Sequence, residues 1–167
     1  MKKQYKTLLP GILFLAAALM LLPSLCPAMS HKLPVDDVEK LQDYITTENP
    51  YEKWELWPGK GKLYEGTQPH GAYLTTYVND IALAAIQEGK KEFPQGSIIV
   101  KENYTGGKEL AAITVMYKVE GYNPSGGDWY WLKYKADGSV DASGKVGGCI
   151  DCHRAQSGQD WVFTARP

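Results

Sequence analysis

The chain has 167 residues and a formal net charge of −1, with enough apolar residues for one globular core. Near-neutral charge and the lack of a basic block exclude a nucleic-acid surface built on lysine and arginine. Three cysteines in the whole sequence are too few for a disulfide framework.

Lys2, Lys3 and Lys6 form a basic start, an apolar stretch follows from Leu8 to Leu25, and Cys26-Pro27-Ala28 supplies small residues at a cleavage position. This is the pattern of a secretory signal peptide over residues 1–28, which leaves one domain at residues 29–167 and implies a periplasmic location. The apolar stretch is also long enough to anchor the chain in the inner membrane if it stays uncleaved. Pro10 and Pro23 interrupt it and favour cleavage.

Pro34 stands where a first helical residue is often found. Val35, Val38, Leu41 and Ile45 then follow at helical spacing and predict an amphipathic helix ending near Asn49-Pro50. The segment 52–67, rich in Trp, Gly and Pro, reads as an irregular loop with Trp54 and Trp57 as packing anchors. Ala72 to Val78 reads as a strand, and Asn79 caps a helix expected from Asp80 to about Lys91.

After the break at Phe93-Pro94-Gln95-Gly96, a strand is expected from Ser97 to Tyr104. Alternation puts Ile98, Val100, Glu102 and Tyr104 on one face and Ile99, Lys101 and Asn103 on the other. A second alternating run, Ala111 to Glu120, places Ile113, Val115, Tyr117 and Val119 together, with Met116 opposite. Asp128 to Ala136 is aromatic on both faces, and Asp137-Gly138 is a turn. At least four strands of lengths suited to antiparallel pairing thus precede the C-terminal segment.

That segment carries Cys149-Ile150-Asp151-Cys152-His153, a CxxCH run. Two thiols three residues apart can each form a thioether with a vinyl group of haem, and the adjacent imidazole can take the proximal position on iron. The plain alternative is a CxxC disulfide or metal clip that happens to precede a histidine. Export and the motif support each other, because haem is attached covalently outside the inner membrane. The expected fold class is α+β: an antiparallel β-sheet with flanking helices and a single covalently bound haem c at its C-terminal end. Helical one-haem cytochromes place the motif first, or after four long helices, and neither arrangement fits this chain.

The chain resembles the cytochrome P-460 family, including the cytochrome c′-beta-like proteins. The resemblance is strongest through Phe93-Pro94 and Gly96 to Glu102, and through the CxxCH run with Trp161-Val162-Phe163-Thr164. It implies one haem c held by Cys149 and Cys152, with His153 as proximal iron ligand, in a protein that is commonly a homodimer. It also implies that Lys101, in the Val-Lys-Glu strand, corresponds to the lysine that some members bond to the haem macrocycle. A lysine drawn into a dry pocket can lose its proton and become a nucleophile, whereas one facing solvent stays charged. Glu102, on the opposite face, reads as structural.

The expected function is that of a periplasmic monohaem c-type cytochrome with an open distal site. It binds or oxidises small nitrogen species, hydroxylamine or nitric oxide, and passes electrons to a periplasmic cytochrome. A gas-binding protein without turnover and a simple electron carrier are the alternatives. The last requires a second protein ligand, and the candidates outside the signal are Met29 and His31 at the mature terminus, His70, which is the best placed, and Met116; His70 and Met116 each have an ordinary reading, as loop and core residue. The resemblance implies a carboxylate a few residues beyond the haem histidine as proton acceptor in members that oxidise hydroxylamine; here no carboxylate stands between His153 and Asp160, and with Ser157 in that position the expected oxidation is slow or absent. Trp129, Tyr130, Trp131 and Phe163 are candidates for the pocket walls.

Overall fold

The computed structural model describes Leu33 and residues 37–164; the signal segment, Met29, His31, Pro34 and Val35 lie outside the described residues. The first helix, α1 (Val38–Asp43), begins where the Asp37 carboxylate accepts the Lys40 amide at 3.2 Å, and it continues as a π-helical turn over Tyr44–Glu48. Strands β1 (Glu55–Leu56), β2 (Tyr64–Glu65) and β3 (Tyr73–Val78) follow. Then come helix α2 (Asp80–Gln87), strands β4 (Ile98–Tyr104), β5 (Leu110–Lys118), β6 (Trp129–Lys135) and β7 (Val140–Gly144), and helix α3 (Gly147–His153). Among the described residues no helix is long and apolar enough to cross a membrane.

The strands form one antiparallel sheet in the order β1-β3-β4-β5-β6-β7, with β2 also paired to β3. The fold is therefore the expected α+β arrangement, an antiparallel sheet with flanking helices. Two pieces differ from expectation. The segment 52–67 is not wholly irregular: it contributes β1 and β2, whose two-residue lengths are too short for an alternation pattern to show. Strand β7 went unread because Val140-Asp141-Ala142-Ser143-Gly144 has almost no apolar content, as befits a largely exposed edge strand.

Helix α2 is also shorter than expected. It stops at Gln87 because Gly89 takes a left-handed conformation, φ +65°, which ends a helix at little cost. Its start is as expected and serves the sheet as well. The Asn79 side chain accepts the Ala82 and Ile98 amides at 3.0 Å each and donates to the Gly96 carbonyl at 2.9 Å. One side chain thus caps α2 and fixes where β4 begins.

Strand alternation sorts the core into two layers. Ile98, Val100, Ile113, Val115, Tyr117, Tyr130, Leu132 and Tyr134 pack on one face with Leu41 and Ile45 of the N-terminal helix. Leu41 and Ile45 are essentially fully buried, which is worth about 1.5–3 kcal/mol for each. The other face carries Ile99, Met116, Trp129 and Trp131. They pack with Ala82, Ala85 and Ile86 of α2, and with Trp57, Phe93, Trp161 and Val162. Trp57 is the packing anchor expected, fully buried, while Trp54 is half-buried against the first layer. The second face also holds the site.

Candidate haem site

On that second face, neighbouring strands set three rows of side chains side by side. One row runs Ile99, Met116, Trp131; the next runs Thr76, Lys101, Thr114, Lys133, Ala142; the third includes Asn103 and Ala112. Together with α3 and the loop around His70 they enclose a cavity of about 810 Å³. That volume lies within the range of small-molecule and cofactor sites, about 300–1,000 Å³.

Helix α3 starts after Val146, whose carbonyl accepts the amides of Cys149 and Ile150 at 3.1 and 3.0 Å. Residues three apart share a helix face, so the turn brings Cys149 and Cys152 together at the cavity rim, both as free thiols. Cys149 is half-buried, and that burial raises its thiol pKa above the usual value; Cys152 is exposed.

His153 ends the helix and is buried, 6% exposed. Its Nδ1 lies 2.6 Å from the Trp161 carbonyl oxygen, which accepts only, so Nδ1 carries the hydrogen and Nε2 keeps its lone pair. The ring sits among Trp131, Phe163 and His70, with centroid separations of 4.6, 5.1 and 6.0 Å. Burial, and to a lesser degree the Lys101 charge, lowers its pKa and keeps the imidazole neutral, the form that binds a metal.

Lys101 points into the cavity rather than to solvent. Its neighbours across the sheet are Thr76 and Thr114, and it has no ion-pair partner among the described residues. Desolvation alone brings its pKa down to about 8, from 10.5 for a free lysine. Lys133, in the same row, differs in that it pairs with Asp141 at 2.6 Å. The opposite face of β4 accounts for Glu102. Its carboxylate accepts from Tyr51 Oη at 3.1 Å and Tyr104 Oη at 2.8 Å, which is the structural role its alternation predicts.

His70 is the hydrogen-bonded loop histidine of its ordinary reading, and it also lines the cavity. Its Nδ1 lies 3.0 Å from Asn103 Oδ1. Burial, with the Lys101 charge second, lowers its pKa to about 4. Met116 lines the cavity between Ile99 and Trp131 as part of the packed core. Of the four candidate wall residues, Trp131 and Phe163 line the cavity. Tyr130 lies on the far face of the sheet, because odd and even positions of β6 face opposite ways, while Trp129 shares the face of Trp131 and is packed in the α2-side core.

Two contributors were not anticipated from the sequence: Asn103 anchors His70, and the Trp161 carbonyl anchors His153. Alternation did place Asn103 on the face of Lys101, but nothing in the residue order reveals where a main-chain carbonyl aims. Ser157 and Asp160 are outside this cavity. Ser157 is exposed beside a second cavity, and Asp160 is buried with Lys118 at 2.6 Å and the Phe93 amide at 2.7 Å. Neither can serve as a base here.

The residues present fit a haem. A neutral imidazole with a free Nε2, two thiols on one helix face beside it and an apolar floor suit a flat, largely apolar, iron-bearing ring. No curated protein matches the chain in sequence. The model of the cytochrome P460 family matches residues 49–164, from the end of the N-terminal helix to the last described residue. This chain belongs to the cytochrome P460 family and is a haem-binding cytochrome.

Proposed function

We propose that the protein is an exported, periplasmic monohaem c-type cytochrome. Thioethers at Cys149 and Cys152 hold the haem, His153 Nε2 ligates the iron, and the far side stays open to hydroxylamine or nitric oxide. When bound, the haem supplies an iron centre that takes up a small ligand and exchanges electrons with it. The chain's own residues orient and dry the site. The Trp161 carbonyl fixes the His153 ring, Trp131 and Phe163 flank it, and the helical turn presents both thiols on one side.

The observation that carries this reading is that Lys101 and His153 face one cavity with no unpaired carboxylate between them, since Asp141 is neutralised by Lys133. A lysine with a pKa of about 8 is partly free amine near neutral pH, the form that a bond to the haem macrocycle requires. The ferric absorption spectrum of purified holoprotein tests the reading. A broadened, strongly red-shifted Soret band that reverts in Lys101→Ala is expected. An ordinary haem c spectrum, unchanged by the substitution, sinks the cross-link.

A second reading is a cytochrome c′-beta-like protein that binds the gas and does not turn it over. It is favoured by the lack of an unpaired carboxylate among the described residues that line the cavity, since Asp141 is paired with Lys133 and Asp160 lies elsewhere. Turnover of hydroxylamine with an artificial electron acceptor separates the two, and cross-linked protein without turnover is a binder. Oxidation would deliver electrons to a partner, for which a periplasmic cytochrome is the natural class, and the assembly expected from the family resemblance is a homodimer.

A further inference from the structure

We propose that Asp160, through its buried ion pair with Lys118, is the positioning residue of the haem histidine: it holds the turn that keeps the Trp161 carbonyl on His153 Nδ1, and by that hydrogen bond it keeps the reduction potential of the iron low. The proposal rests on His153 being the iron ligand and requires nothing of the other side of the haem.

Asp160 is a buried carboxylate that takes no part in the cavity. One of its carboxylate oxygens accepts from Lys118 Nζ at 2.6 Å and the other from the Phe93 amide at 2.7 Å. Its main-chain carbonyl accepts from Trp129 Nε1 at 2.9 Å. Lys118 Nζ also donates to the Gly127 carbonyl at 2.8 Å and stands over the Trp129 ring, 4.9 Å from its centroid. Asp160 is thereby tied to β5, to β6 and to the loop before β4. Only 12% of the Lys118 side chain and 5% of the Asp160 side chain are exposed. Two ions withdrawn that far from water recover little of their desolvation by mutual attraction, and an apolar pair of similar volume often serves stability as well. What the pair does supply is a fixed geometry.

That geometry is one the backbone does not hold unaided. Asp160 and Trp161 are consecutive left-handed residues, with φ 54° and 65°. Aspartate visits that region with modest strain, and tryptophan does not. Across the turn the Trp161 amide donates to the Gln156 carbonyl at 2.8 Å, but the Val162 amide reaches the Gln159 carbonyl only at 3.4 Å. Released from its side-chain anchors, the turn would relax toward right-handed or extended backbone and rotate the Trp161 carbonyl away. Held in place, that carbonyl stands 2.6 Å from His153 Nδ1. An acceptor there raises the basicity of the imidazole, and a more basic ligand favours ferric over ferrous iron. Asp160 acts only through Trp161, so its role is positioning and not catalysis.

The test uses full-length holoprotein and the double variant Asp160→Ala/Lys118→Met, which removes the pair without changing the net charge or leaving one buried charge alone. Its reduction potential is expected to rise. The iron–histidine stretching band in the resonance Raman spectrum of the ferrous form is expected to fall in frequency. Leu41→Ala, a neutral change in the other layer, controls for lowered stability and should move neither. If the double variant does not fold, Lys118→Met alone decides, because charge and position then predict opposite signs. Loss of a nearby positive charge lowers the potential, whereas release of the turn raises it, and a rise is expected.

A folded double variant that keeps the wild-type potential or the wild-type band overturns the proposal. So does a lowered potential in Lys118→Met, or an equal rise in Leu41→Ala. Failure of the underlying haem reading is separate and appears earlier, as wild-type protein without a covalently attached haem that carries histidine on its iron.

Discussion

The Trp161 carbonyl oxygen sits 2.6 Å from Nδ1 of His153 and so decides which nitrogen of that ring is left for iron. The carbonyl is aimed by two consecutive left-handed residues, Asp160 at φ 54° and Trp161 at φ 65°. Such conformations cost non-glycine residues about 1–3 kcal/mol each and persist only where surroundings enforce them. Here Asp160 is held by Lys118, by the Phe93 amide and, through its own carbonyl, by Trp129 Nε1 at 2.9 Å.

The Asp160 anchor can be removed. Asp160→Ala leaves the Lys118 ammonium nearly buried without its counter-charge, although its bond to the Gly127 carbonyl and its stacking on Trp129 remain. A loss of about 3 kcal/mol is expected, a fall in Tm of about 10 °C in a domain of this size. Thermal unfolding followed by circular dichroism measures it, and a shift of less than about 2 °C would show that the turn holds without the ion pair.

Gly127 bears on the same turn from the other side. It has φ +68°, and a Cβ added there would overlap the Trp161 indole. Gly127→Ala is expected to cost about 1–3 kcal/mol and to displace the Trp161 carbonyl from His153. The readout is the ferric haem spectrum together with Tm; a destabilised protein with an unaltered spectrum would separate the indole from the histidine anchor.

Lys101 gives a pH signature in protein that cannot attach haem, such as a Cys149→Ala/Cys152→Ala variant. Its folded pKa, about 8, is below the 10.5 of the unfolded chain. Between those values the unfolded state binds more protons, so stability rises with pH across that window. Below pH 8 the cost of the buried charge is fully present, and above 10.5 it is gone. Denaturant melts at pH 7, 9 and 10.5 should show the rise, and Lys101→Met should remove it.

Glu102 supplies the contrast, since it neighbours Lys101 in the chain and faces the other layer. Glu102→Leu strands the buried Tyr51 hydroxyl and the Tyr104 hydroxyl, and should cost about 1–3 kcal/mol in chemical denaturation. The holoprotein spectrum should stay as in wild type. A haem spectrum altered as much as in Lys101→Ala would contradict the separation of the two faces.

Much of this was legible in the residue order because the signals are local. Period-two alternation sorted β4 and β5 correctly, putting Lys101 on the opposite side from Glu102 and Met116 opposite Ile113 and Val115. The CxxCH spacing is a one-turn relationship, and Asn79 is a cap that reads from its own neighbours. Strand β7 was not legible, because an exposed edge strand needs no apolar pattern, and β1 and β2 were too short to have one.

The sequence by itself determined the chemistry on offer: two thiols and an imidazole at helical spacing, and a lysine placed mid-strand beside a run of isoleucine and valine. Tertiary structure alone decided what state those groups are in. Whether Lys101 met water or a cavity depended on β5 and β6 extending the sheet beside it and on α3 and the His70 loop returning to that face. Which nitrogen of His153 stays free depended on a carbonyl eight residues along the chain, and what anchors His70 on an amide thirty-three residues away. Burial and hydrogen-bond direction are relations between distant segments, and no local pattern encodes them.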